Sequence, residues 1–174
     1  FDLYSDPMPD RAALAGYLAR TEGAAFALGL AVAGVADRGE VSRVGEAAGQ
    51  AYGLARLLTQ LPEWLAAGRM PIPADQLRRS GVAVEDLSVA PPTEPARQVL
   101  RDLVHEARLG TRRVRETIAA VAPAARAVLL PVAVIEPYLG AFEKALESSL
   151  GRPITILPVK RAWRLWRAHR TWCG

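Results

Sequence analysis

Apolar side chains recur at helical spacing along most of this chain. Over residues 9–35, Ala13, Leu14, Tyr17 and Leu18 fall on one face behind Pro9 and Asp10, a helix-start pair. Thr21 and Gly23 predict a kink inside that helix, and Asp37 to Glu40 is expected to turn the chain. A second helix over residues 41–61 places Val44, Ala48, Ala51, Leu54, Ala55 and Leu58 along an apolar stripe. Pro62 interrupts it, and residues 68–73 are expected to be extended.

The second half follows the same rhythm. Residues 88–95, with Pro91, Pro92 and Pro95, predict a loop. Val99, Leu100, Leu103, Val104, Ala107, Val114, Ile118 and Val121 then trace a long amphipathic helix with arginines outside. Pro123 resets the chain before a central buried helix over residues 124–149, expected to kink at Pro131 and at Pro137. A connector, RPITILP, leads to a last helix over residues 159–171. The apolar stretches 24–36 and 127–135 fall short of the about 20 residues a membrane span needs, so both are read as core helices. Gly45, Gly49 and Gly53 share one helix face, which points to close packing of two helices.

Composition narrows this to an all-α fold. The 174 residues are 51% hydrophobic but only 6% aromatic, and alanine and leucine dominate. Such a chain is long enough for a single domain over residues 1–174 with its own core. Cys173 has no second cysteine to pair with, which suits a reducing, cytoplasmic location. A net charge of +4 does not demand a nucleic-acid partner.

Few side chains suggest chemistry on their own. Asp102 and Glu106 stand four apart on a helix and are expected to form surface ion pairs with the surrounding Arg97, Arg101, Arg108 and Arg112, while Glu143 and Glu147, at the same spacing beside Lys144, are expected to be solvated. His105 and His169 lack partners at metal-ligand spacing, so no metal site is expected. The tail KRAWRLWRAHRTW mixes Lys160, Arg161, Arg164, Arg167 and Arg170 with Trp163, Trp166 and Trp172. The tryptophans are expected to pack into the bundle while the arginines face water. Contact of Arg164, Arg167, Arg170 and Trp172 with a membrane or partner surface ranks second, and nucleic acid third.

The stretch YGLARLLTQLPEWLAAGRMPIP resembles the second aspartate-rich segment of the squalene and phytoene synthases with its aspartates missing. Gly68, Arg69, Pro71 and Pro73 match the G-R-x-x-x-P end of that segment. Arg56, Thr59, Gln60 and Trp64 stand where N-x-x-R-D-x-x-x-D would lie. The segment from Phe1 through FDLYSDPMPDRAALAGYLARTEGAAFAL, the stretch PADQLRRSGVAVEDL and the terminal PVKRAWRLWRAHR resemble the same family, especially alphaproteobacterial members close to the complex I assembly factor, and for the second of these the resemblance implies a short helix followed by a turn. Phe1 at the start suggests a processed product or part of a longer chain. The resemblance would put a first aspartate motif and several helices before it, so the bundle is expected to be incomplete at the N-terminus. Either a preceding segment or a partner protein would then complete its core.

The resemblance implies an isoprenoid-synthase-like bundle with Thr21, Gly23, Tyr52, Arg56, Gln60, Glu63 and Arg69 around the substrate pocket. It also implies Mg2+ held by carboxylates, which Gln60 and Trp64 do not supply. Glu63 is the one carboxylate left in the segment, and it reads equally as a first-turn residue after Pro62. Arg56 is expected either to hold a diphosphate without metal or to pair with Glu63 and close the site. The leading expectation is a catalytically degenerate family member, with no catalytic residue and no cofactor. It would bind a prenyl lipid, a prenyl diphosphate or a protein partner, as an assembly factor does, with peripheral contact on the inner membrane as a further option. The alternative is an active prenyltransferase joining two isoprenoid diphosphates head to head with Mg2+.

Overall fold

The computed structural model describes residues 8–174, so the 1–7 stretch of the family resemblance lies outside the described residues. Helix α1, Arg11–Leu18, starts where the Asp10 carboxylate accepts the Ala13 N–H at 2.7 Å. It continues into a π-helical turn, Ala19–Gly23, and then into α2, Ala24–Val32. The predicted kink is therefore a π turn, a form that often accompanies function. Helix α3, Arg38–Thr59, begins earlier than expected, because the Asp37 carboxylate accepts the N–H groups of Gly39 at 2.8 Å and Glu40 at 3.3 Å. The expected turn at residues 37–40 is the cap and first turn of this helix.

The glycine face of α3 meets the α1–α2 arm almost backbone to backbone. A Cβ at Gly49 would lie 2.2 Å from the Gly23 nitrogen, one at Gly45 2.9 Å from the Ala27 Cβ, and one at Gly53 2.6 Å from a Leu18 methyl. Only hydrogen fits at such a seam. On its other sides α3 packs against α7, Glu94–Thr117, and α8, Ile135–Leu146.

Between α3 and α7 in the chain, α4 (Leu61–Ala66) packs against α3, while α5 (Ala74–Arg79) and α6 (Val84–Ser88) pack against α7. Pro62 lies in the first turn of α4, where its missing N–H has no intrahelical role, so the expected interruption is a joint between two helices. Helix α6 occupies part of the expected turn, held by the Asp86 carboxylate on the Ala83 N–H at 2.7 Å. Pro95 likewise starts α7, which shortens the expected proline loop.

Charge pairing runs between helices more than along them. Arg101 of α7 reaches Glu94 at 2.8 Å and Glu147 beyond α8 at 3.0 Å, and Arg11 of α1 pairs with Glu106 of α7. Arg108 binds Glu143 at 2.7 Å and Glu136 at 2.9 Å, both on α8. Hydrogen bonds donated to Glu143 and then to Glu136 hold its guanidinium well above the usual arginine range. This corrects the expected i, i+4 pairing of Glu106 and the expectation that Glu143 and Glu147 are solvated, since an arginine can reach a facing helix as readily as the next turn of its own. Asp102 instead accepts from Gln98 at 2.9 Å.

The expected central helix is two pieces. Residues Pro123–Val134 wind as a 3-10 helix, and α8 follows directly. Pro131 cannot donate to a helical carbonyl, which suits the tighter winding, whereas Pro137 sits in the first turn of α8, where no donor is required. The combined stretch Pro123–Leu146 is long and apolar enough to cross a membrane by length and composition, more than residues 127–135 suggest. Half of its most apolar part is buried inside the protein, as in a core helix. One hydrophobic cluster links Met8 and Leu18 through Leu58, Leu103 and Leu129 to Phe142 and Leu150, and no strand occurs among the described residues.

Helix α9, Pro158–Trp172, rests on the 3-10 segment. Arg126 fastens it, donating to the carbonyls of Val121 at 2.8 Å, Ala119 at 3.0 Å and Trp172 at 3.0 Å. Arg126→Met keeps the stem and leaves three acceptors unpaired. It is expected to lower stability by about 2 kcal/mol. Amide exchange should rise more in α9 than in α3, and equal rises would refute the fastening role.

Candidate functional site

Tyr52, Ala55, Arg56, Thr59 and Gln60 line one face at the C-terminal end of α3, the i, i+3, i+4, i+7, i+8 spacing of a helix. Opposite them stand Val134, Ile135 and Tyr138 at the start of α8, and Arg161 from the first turns of α9. Together they wall a cavity of about 230 Å³. Its chemistry is divided: two phenols, two guanidiniums and an amide lie beside the aliphatic Ala55, Val134 and Ile135. Such a lining suits a ligand with an anionic head and an apolar body.

Arg56 is positioned by the arm that the glycine seam brings close. Its Nη2 lies 2.6 Å from Glu22 Oε1, and its Nη1 donates to Gln60 Oε1 at 3.4 Å. Its Nε is buried with no acceptor. Glu22 belongs to the π turn, and a Cβ on Gly53 would come within 3.2 Å of its side chain. The arginine's partner is therefore Glu22, which corrects the expected pairing with Glu63. Glu63 is exposed in the first turn of α4. Tyr52 is steadied by Phe26, whose ring meets it edge-on at 5.8 Å.

Of the seven expected pocket residues, Tyr52, Arg56 and Gln60 converge on the cavity. Thr21 and Gly23 do not line it. Thr21 donates its hydroxyl to the Tyr17 carbonyl at 2.9 Å, and Gly23 is buried against Gly49. Arg69 is exposed and its guanidinium lies 5.7 Å from the Trp64 ring centre. The preceding Gly68 has φ +68°, and the Arg69 N–H reaches the Trp64 carbonyl at 2.8 Å, so Gly68-Arg69 closes α4 as a helix stop. Tyr138 and Arg161 escaped the sequence reading of the pocket. A tyrosine within an apolar helix was the available signal for the first, but nothing local distinguishes Arg161 from its basic neighbours.

The donor set does not fit Mg2+. At the aspartate-motif positions stand a guanidinium, a hydroxyl that already donates to the carbonyls of Ala55 and Arg56 at 3.0 Å, an amide and an indole. Glu22 is the nearby carboxylate, and it is matched by Arg56. Among the described residues no three His, Cys, Asp or Glu side chains gather as a metal site.

The tail also differs from expectation. Trp163 and Trp166 are 47% and 56% exposed, not packed in the bundle, because only the Ala168 side of α9 is buried. Arg164 and Arg167 lie 5.8 and 5.4 Å from the Trp163 ring centre, and Arg170 5.3 Å from that of Trp166. Trp172, expected on the surface, is partly buried against the core.

The described residues form an all-α bundle, and its match to a solved structure shows an isoprenoid-synthase-like helical fold. The crystal structure of a dehydrosqualene synthase in complex with ligand superposes on it with a TM-score of 0.80 at 16% identity, over 95% of this chain and 59% of that one. The sequence profile of the squalene/phytoene synthase family matches residues 1–167, and the chain belongs to that family. It spans about three fifths of the length of the dehydrosqualene synthase. No curated protein sequence matches it significantly.

Proposed function

We propose that this protein binds a prenyl diphosphate or related anionic prenyl lipid by direct cation contact, without Mg2+ and without ionising it. The observation that carries this is the pair Arg56 and Arg161 on opposite walls of one cavity whose lining, among the described residues, includes no carboxylate. Arginine forks match phosphate oxygens and need no bridging metal. Tyr52 and Tyr138 offer hydroxyl donors to the same head group, while Val134, Ile135 and Ala55 receive the first part of the hydrocarbon chain. Family membership supports a prenyl ligand, and the dehydrosqualene synthase is known with a ligand bound.

The chemistry stops at binding in this reading. Departure of pyrophosphate from an allylic carbon builds negative charge that preorganised cations must stabilise, and the expected metal positions hold Gln60 and Trp64. Arg56 is already engaged by Glu22, so its charge is partly spent before a ligand arrives.

Calorimetric titration with a non-hydrolysable farnesyl diphosphate analogue tests the proposal. Binding is expected with and without Mg2+ at equal affinity. Arg56→Gln and Arg161→Gln should each weaken it about tenfold, the scale of one hydrogen bond to a charged group. Binding that requires Mg2+, or metal-dependent pyrophosphate release, would favour a head-to-head prenyltransferase instead. No binding in either condition would favour a scaffold or assembly role.

A further inference from the structure

The positive charge of this protein is carried by its last segment. Residues 151–174 hold six of the 22 Lys and Arg side chains and none of the 18 Asp and Glu, which leaves the rest of the chain with more acidic than basic groups. Within α9 the charges are arranged around an exposed apolar ridge. Val159, Trp163 and Trp166 share the face opposite the buried Ala168, with Val159 72% exposed and Leu157, just before the helix, 69% exposed. Arg170 lies on that ridge, and Lys160 and Arg167 border it on one side.

Next to the ridge, the flank of α9 forms a cationic groove with the end of α7. Arg115, Arg164 and Arg167 line a cavity of about 290 Å³ together with the Thr171 hydroxyl, Ala133 and Ala168. Among the described residues no carboxylate lines it, and none of these three arginines has a carboxylate partner. The Arg164 Nε is buried without an acceptor. Arg11, Arg56, Arg79, Arg97, Arg101 and Arg108 are matched by carboxylates, whereas the three guanidiniums that meet in this groove are not.

We propose that α9 docks the protein on an anionic bilayer surface, with a phospholipid phosphate held in the Arg115–Arg164–Arg167 groove and Trp163, Trp166 and Val159 entering the headgroup region. The three guanidiniums are complementary to a phosphate diester. The adjacent ridge selects a lipid over free phosphate, because a dissolved anion leaves that apolar surface in water. Indole rings favour the interface between water and acyl chains, and cations stacked on them bring positive charge to the lipid phosphates. An amphipathic helix lying flat, with no acidic residue, meets both requirements. This proposal is independent of the Arg56 cavity, which is formed on the inner side of α9 through Arg161.

The test is flotation of the full chain with phosphatidylcholine vesicles, with and without phosphatidylglycerol, over a range of salt. Binding is expected only to the anionic vesicles, and salt should release it. Arg115→Gln and Arg164→Gln should each weaken partitioning about fivefold. The double variant Trp163→Ser, Trp166→Ser should weaken it about tenfold, and Arg78→Gln on α5 should leave it unchanged. Melting curves of the variants, and the salt and lipid dependence of the unaltered protein, keep folding defects from mimicking the result. Equal binding to neutral vesicles, or an equal loss in Arg78→Gln, would overturn the proposal. Binding of inorganic phosphate without binding of vesicles would assign the groove to a soluble anion. A dimer dissolved by the tryptophan variant would assign the ridge to a second copy.

Discussion

Replacing Gly49 with alanine is expected to destabilise the protein by about 3 kcal/mol, the upper part of the usual cost of overpacking a core. The added Cβ would lie 2.2 Å from the Gly23 nitrogen and 2.4 Å from its Cα. These are backbone atoms, so no rotamer change relieves the clash and the α1–α2 arm must move as a unit. The movement carries Glu22 away from Arg56, since both the π turn and the ion pair depend on the seam. Gly140→Ala in α8 provides the contrast. A Cβ there meets nothing within 4 Å, and alanine should gain up to about 1 kcal/mol in helix propensity. Urea midpoints of the two variants should therefore shift in opposite directions. A Gly49→Ala midpoint equal to that of the unaltered protein would refute the close seam.

Phe142→Ala should cost about 4 kcal/mol, within the range for emptying a buried aromatic site. Phe142 is fully buried in α8 among the large core side chains that include Leu129, Ile135 and Leu139. It lies one helical turn after Tyr138, so the loss is expected to reach the cavity wall as well as the core. Affinity for the farnesyl diphosphate analogue should fall even where the variant remains folded. Phe142→Leu, which retains most of the volume, should recover most of both effects. A stable variant with unchanged affinity would show that the wall does not depend on this packing.

Much of the fold was legible because helices write their buried faces into local spacing. The stripe Val44, Ala48, Ala51, Leu54, Ala55 and Leu58 of α3 is buried as its periodicity requires. The family likeness had the same kind of basis, a run of residues in order. Boundaries were less legible where one side chain shifts them. Asp37 extends α3 by capping it, and Pro62 and Pro95 begin helices instead of ending them. The site was legible in part. Tyr52, Arg56 and Gln60 share a helix face and could be grouped by spacing, whereas Tyr138 and Arg161 come from elements about 80 and 100 residues away and share no local pattern with them.

The sequence alone determined the all-α class, the glycine seam and the absence of the aspartates, because each depends on residue type and on spacing within one helix. Tertiary structure decided the rest. Arg56 turned to Glu22 because the seam brings the π turn to α3, and the α7 arginines turned to α8 because the helices lie side by side. Trp163 and Trp166 remained exposed because α9 has a neighbour on only the Ala168 side. Periodicity states which face of a helix is apolar, but whether another element covers that face depends on the packing of the whole chain.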